Sequence, residues 1–403
     1  MKKIWGVLAL ALGITAIICG CGSTSGNASS GGQNTAESSE TAADAGIVVV
    51  DAEDDTESPA ADTDDEESAA CQQAREIYDG LMAYKEEYQY ENFVSLQENY
   101  NYDENNARYY VNPTSAANLP EEFNETALSL ADGEIGMTAK TDYGYFVIMR
   151  MAFDEDDLTN IKNDMTNLRF NEELDGLMET AVIEEADLLS EIDFTAYMEK
   201  LDELQTLITD TYADLSEAYS DALELEEALL AKLPQEAKED CVSYLTDGQV
   251  SKDTCLMTVD GTQVSAGAFF YMLNYYKLND YGTGSISESY LTIAMNQAKA
   301  DLADYALAQN LALDQGIGLS EEEEASNREV MDNNLESSLI YMGCNSDGLE
   351  EILTCTSLGN AYVSAMYGED GAKEIPIEEV YAYAEEEGYY TCMYIWLYED
   401  NSN

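Results

Sequence analysis

No histidine occurs anywhere in this chain of 403 residues, and bases are scarce: 17 Lys and Arg stand against 82 Asp and Glu, a net charge of −65. Without imidazole, a Ser-His-Asp triad, a Cys-His pair and the usual nitrogen ligand of zinc are excluded. The acid excess repels phosphate backbones, which excludes nucleic acid as a partner. Beyond Cys21, Cys71, Cys241, Cys255, Cys344, Cys355 and Cys392 include no C-x-x-C pair. They therefore form neither a zinc pattern nor the framework of a small disulfide-rich scaffold. Isolated buried thiols are the simpler reading, with one disulfide as the alternative. No metal and no cofactor is expected.

What is present begins with "MKKIWGVLALALGITAIICGCGS". Lys2 and Lys3 precede an apolar run over 4–18, which is too short to span a bilayer and reads as a secretory leader. Ile18-Cys19-Gly20-Cys21 resembles the lipobox of bacterial lipoproteins. That resemblance implies a signal peptide at 1–20, a lipid on Cys21, and attachment to the extracytoplasmic face of a bacterial cell membrane. Residues 21–70 are rich in Ser, Gly, Thr, Ala, Asp and Glu, including "DAEDDTESPAADTDDEE", and read as a solvated tether. The run lacks the Gly and closing Glu spacing of an EF-hand. Its one apolar island, "GIVVV" at 46–50, has the composition of a short strand.

From residue 71 the pattern is globular, with room for two or three domains. Ala74, Ile77, Leu81 and Tyr84 fall at helical spacing, followed by Phe93, Leu96 and Tyr100 on a second helical face. A loop with Pro113, the helix "PEEFNETALSL", a turn at Asp132-Gly133-Glu134 and the strand "TDYGYFVIMR" complete the segment. The stretch "LPEEFNETALSLADGEIGMTAKTDYGYFVI" resembles the signature of parvulin-type peptidyl-prolyl isomerases, in Phe123, Ala127, Leu130, Gly133-Glu134-Ile135, Thr141 and Gly144-Tyr145.

The resemblance implies a small antiparallel sheet with helices over 71–152. It also implies a proline cup at Leu119 and Phe123, with Met137 as a neighbour. The family carries two histidines side by side in its central sheet, and the matching positions here are Phe146 and Tyr394. A further polar position is matched by Asp103, and Thr141 is retained.

Downstream, "TVDGTQVSAGAFFYMLNYY" resembles the opening of the helical chaperone domain of PrsA and SurA foldases, a strand and Gly turn leading into an amphipathic helix. Apolar positions then recur at three and four, and a capping box at Ser320 and Glu323 follows Gly316-Ile317-Gly318. "IPIEEVYAYAEEEGYYTCMYIWLY" resembles the helix and first strand that lead into a parvulin domain. The expected organisation is therefore a helical linker region at 153–253, a helical foldase-like domain at 254–388 and a strand at 389–403, in an α+β chain.

In the foldases the helical domain comes first, so the order here is inverted. A circular permutation that pairs 389–398 beside 144–151, a truncated two-isomerase protein, and a first strand supplied by 46–50 all fit the sequence. The permutation is preferred, because strand pairing does not depend on chain order and the intervening chain is long enough to bring the pieces together. Two functions follow: a prolyl isomerase with a degenerate or weak site, or a non-catalytic holdase. Either would take unfolded, secreted polypeptides as clients. A solute-binding lipoprotein fits less well, since no two-lobed α/β alternation is present.

Overall fold

The computed structural model describes residues 68–100, 108–282 and 286–398, without the side chain of Tyr281. The leader at 1–20, Cys21, the island at 46–50 and Asp103 lie outside the described residues. No described helix is long and apolar enough to cross a membrane.

The described strands are β1 (Tyr109–Val111), β2 (Ile135–Met137), β3 (Gly144–Met151), β4 (Ile183–Glu185), β5 (Cys255–Val259), β6 (Thr262–Ser265) and β7 (Tyr390–Tyr398). They make two antiparallel sheets, ordered β1-β7-β3-β2 and β4-β5-β6. With helices over most of the remainder, the fold is α+β. The described chain divides into two compact units, each with its own core: a sheet unit of 68–159 with 381–398, and a helical unit, Asn160–Val380.

In the sheet unit, α1 (Ala69–Met82) starts two residues before the expected boundary at 71, capped by the Ser68 hydroxyl, which accepts from Cys71 N. Ala74, Ile77 and Leu81 are buried as the spacing predicts. The helix stops at Met82, so Tyr84 falls beyond it and is exposed. On α2 (Glu86–Tyr100), Phe93 is buried and Leu96 packs half-buried against the same core, while Tyr100 is exposed; Gln97, one turn on from Phe93, is buried as well. The Gln97 amide donates to Tyr394 O at 3.2 Å, which supplies a partner to a strand carbonyl.

β7 carries the pairing expected of 389–398. It runs antiparallel to β3 from Gly144↔Tyr398 to Met151↔Thr391, and to β1 over Tyr390, Thr391 and Cys392. Because side chains alternate across a strand, β3 and β7 present two apolar faces. Val147, Met149, Met393, Ile395 and Leu397 pack under α1 and α2. Phe146, Ile148, Tyr390 and Cys392 pack under α3 (Glu121–Ser129).

The helical unit corrects the expected division at 253. α4 (Glu155–Met178), most of which belongs to this unit, and α5 (Phe194–Leu215) contribute Leu174, Tyr197, Leu201 and Leu204 to the same core as β5, β6, α6 (Ala266–Tyr276) and α7 (Glu288–Asp314). The presumed linker thus folds as part of one unit.

Asp260 and Gly261, both at positive φ, form the two-residue turn between β5 and β6, the geometry that Asp-Gly favours. α6 departs from the amphipathic expectation, since every residue from Ala266 to Asn274 is buried, as befits a helix apolar on all sides. Its Gly267 meets Gly348 of α8 (Ser346–Tyr367) so closely that a Cβ on Gly348 would lie 2.5 Å from Gly267 O. The Ser320–Glu323 capping box is present, the serine hydroxyl accepting from Glu323 N.

All six described cysteines are free thiols, four buried and two half-buried, so the disulfide alternative has no counterpart among them.

Candidate functional site

The α3 face of the sheet brings together four of the residues singled out from sequence. In the register of β3 with β7, Ile148 lies opposite Tyr394 and Phe146 opposite Trp396, so Phe146 and Tyr394 are diagonal neighbours on one face. Their rings meet edge to face with centroids 5.9 Å apart. Phe123 descends from α3 onto both, at 5.1 Å from Phe146 and 5.6 Å from Tyr394, again edge to face. Leu119 packs against the same cluster, and Tyr109 of β1 meets Tyr394 at 6.1 Å. Each contact has the geometry that aromatic quadrupoles prefer.

Two other expectations are corrected. Met137 shares its side of β2 with Ile135 and packs with α1 and α2 on the opposite face of the sheet, because residues two apart on a strand point the same way. It is no neighbour of Phe123. Thr141 is buried, and its hydroxyl donates to Gly144 O at 2.8 Å and accepts from Tyr143 N at 3.1 Å. That hydroxyl closes the turn before β3.

The polar groups beside the cluster are held in fixed states. Tyr390 donates to Asn124 Oδ1 at 2.6 Å, and burial raises its phenol pKa. Burial pushes the Cys392 thiol up to about 12, so it stays protonated and is no nucleophile at neutral pH. Arg150, whose pKa burial lowers, lies 5.4 Å over the Tyr390 ring and pairs with Asp132. Such a site offers contact area and stacking.

Sequence reasoning missed the accessible part of this face. Trp396 stacks on Phe146 with planes 8° apart and remains 41 % exposed. Its indole N–H donates to Tyr143 O at 2.8 Å. Tyr143 and Tyr398 are 56 % and 64 % exposed. The signal was available in "YIWLY", where period-two spacing places Tyr394, Trp396 and Tyr398 on one face.

In the helical unit the clustered polar groups serve packing. Lys373 holds Glu173 and Tyr362, and Tyr367 donates to Glu173 at 3.2 Å, joining α4 to α8 and the segment after it. Buried Lys277 pairs with Asp202, and Asn274 donates to Tyr197 and to Met342 O. Asp304 is pushed up to about 6, first by burial and then by Asp301 and Asp175.

No family model, no curated protein and no solved structure matches this chain.

Phe123 is 1 % exposed, so it is a core residue that floors the face rather than a ring open to a ligand. Phe123→Ala is expected to destabilise the sheet unit by about 3–5 kcal/mol, as large-to-small changes in cores do. Denaturant unfolding of that unit checks it, and a cost below about 1 kcal/mol would remove Phe123 from the core assignment.

Proposed function

We propose that this chain is a parvulin-type folding factor, lipid-anchored through Cys21 on the extracytoplasmic face of a bacterial membrane. Its aromatic face binds extended, apolar or proline-bearing segments of secreted polypeptides and isomerises their prolyl bonds weakly or not at all. The observation that carries the reading is the meeting of Phe146 and Tyr394 on the two central strands under Phe123. These are the positions where the resembled family has its two histidines. Aromatic rings there keep an apolar platform and withdraw the hydrogen-bonding groups, which favours binding over catalysis. The antiparallel placement of β7 between β1 and β3 supports the permuted arrangement of a parvulin-like unit.

The test is binding of a permanently unfolded, alkylated polypeptide, followed by fluorescence anisotropy. Wild type is expected to bind. Trp396→Ala, folded by circular dichroism, is expected to bind about tenfold or more weakly, the loss typical of an aromatic anchor. Absence of binding by wild type sinks the client reading, and equal binding by the variant moves the site off this face.

A further inference from the structure

We infer that the client segments taken by this face are basic: extended stretches in which proline or aromatic residues alternate with Lys and Arg. The inference rests on the reading of the face as a client site and adds the chemistry of what it selects. Tyr143, Trp396 and Tyr398 give an exposed aromatic strip, which by itself discriminates little between apolar segments. Selection comes from the rim.

Glu121 and Glu122 form the first turn of α3 directly before Phe123, whose ring meets Phe146, the ring on which Trp396 stacks; exposed Asp142 precedes Tyr143, whose carbonyl accepts from the Trp396 indole. Between described residues of this unit, the acids in ion pairs are Asp154 and Asp157 with Arg108, Asp132 with Arg150, and Glu87 with Lys85. Glu121, Glu122 and Asp142 thus remain outside the ion pairs among the described residues. Lys140, the base nearest in sequence to Tyr143, is itself partnered.

A cationic side chain entering this strip meets two attractions that reinforce each other. It can stack on the exposed indole or phenol rings, and it can pair with the rim carboxylates. An acidic segment meets neither and is repelled by the rim. The net charge of −65 extends the same preference to the encounter, drawing cationic chains in and keeping anionic ones away. Discrimination of this kind needs the repulsive half as much as the attractive one.

The test uses the chain without the leader at 1–20, in which Trp396 is the one indole, since the sequence's other tryptophan is Trp5. Three peptides share the same Pro and Tyr positions and differ only in having Lys, Ser or Glu between them. At low ionic strength the Lys peptide is expected to bind about tenfold or more tighter than the Glu peptide, with a change in Trp396 emission. The gap should narrow to about twofold near 0.5 M salt, where screening is strong. Neutralising the rim with Glu121→Gln, Glu122→Gln and Asp142→Asn should narrow it likewise at low salt.

Equal affinity for all three peptides overturns the basic preference while leaving client binding intact. Tight binding of the Lys peptide that leaves Trp396 emission unchanged, or that survives Trp396→Ala, places the attraction elsewhere and overturns the assignment to this face. Failure of all three to bind counts against the client reading itself.

Discussion

Ending the chain at Tyr389 is expected to unfold the sheet unit and leave the unfolding transition of the helical unit in place. The deletion removes β7, which pairs on one side with β3 over eight residue positions and on the other with β1 over three. It takes Tyr390, Cys392, Met393, Ile395 and Leu397 out of both faces of the core, each of them at most 4 % exposed. At about 1.5–3 kcal/mol for each buried large side chain, the lost burial is on the order of 10 kcal/mol. A domain is stable by only about 5–15 kcal/mol, so the unit has little reserve to absorb that loss.

Residues 160–380 hold a separate core built from their own helices and from β5 and β6. Limited proteolysis with mass spectrometry should find 68–159 cut throughout and 160–380 protected, and a synthetic peptide of 389–403 added in trans should restore protection. Retained protection of 68–159 in the shortened chain would show that β7 is not the strand on which that sheet depends.

The second large effect concerns catalysis. A prolyl bond turns over a barrier of about 18–20 kcal/mol, and an enzyme lowers it by surrounding the twisted amide with a dry site whose dipoles suit it. In the proposed site Phe146 and Tyr394 would supply the dryness, with Phe123 as the floor beneath them; the Thr141 hydroxyl is spent on Gly144. Removing a fixed hydrogen-bond donor from such a site costs about 100-fold or more in rate. Wild type is therefore expected to isomerise a proline tetrapeptide at least about 100-fold more slowly than a histidine-bearing parvulin, in a protease-coupled assay.

Phe146→His with Tyr394→His is expected to raise that rate, because the two ring centroids lie 5.9 Å apart and imidazoles in their place would be neighbours. Burial favours the neutral imidazole there, which can donate through one nitrogen and accept through the other. A wild-type rate comparable to that of a histidine-bearing parvulin would defeat the degenerate-site reading, and would mean that the apolar cup suffices for catalysis.

Much of the local structure was legible because it follows from short-range rules. The Asp260-Gly261 turn, the Ser320–Glu323 capping box and the first helical stripe through Ala74, Ile77 and Leu81 each depend on residues a few positions apart. The pairing of 389–398 with 144–151 was one of three arrangements that the family resemblance left open, preferred because hydrogen-bonded ladders are indifferent to chain order, and the register of β3 with β7 decided it.

Three further matters were settled only by tertiary structure. Periodicity says which residues share a face, and on β3 and β7 both faces are apolar, so it could not say that Met137 goes with α1 and α2 while Gly136 goes toward Thr126 and Leu130 of the α3 side. Composition marked 153–253 as helical, but whether helices form a linker or share a core depends on what covers their apolar stripes, and Tyr197, Leu201 and Leu204 are covered in one core with β5, β6 and α6. The exposure of Trp396 was hidden for the same reason: an aromatic residue in an apolar strand is buried or open according to how far the covering helix reaches. That reach is a long-range property, set where Phe123 lands on the sheet.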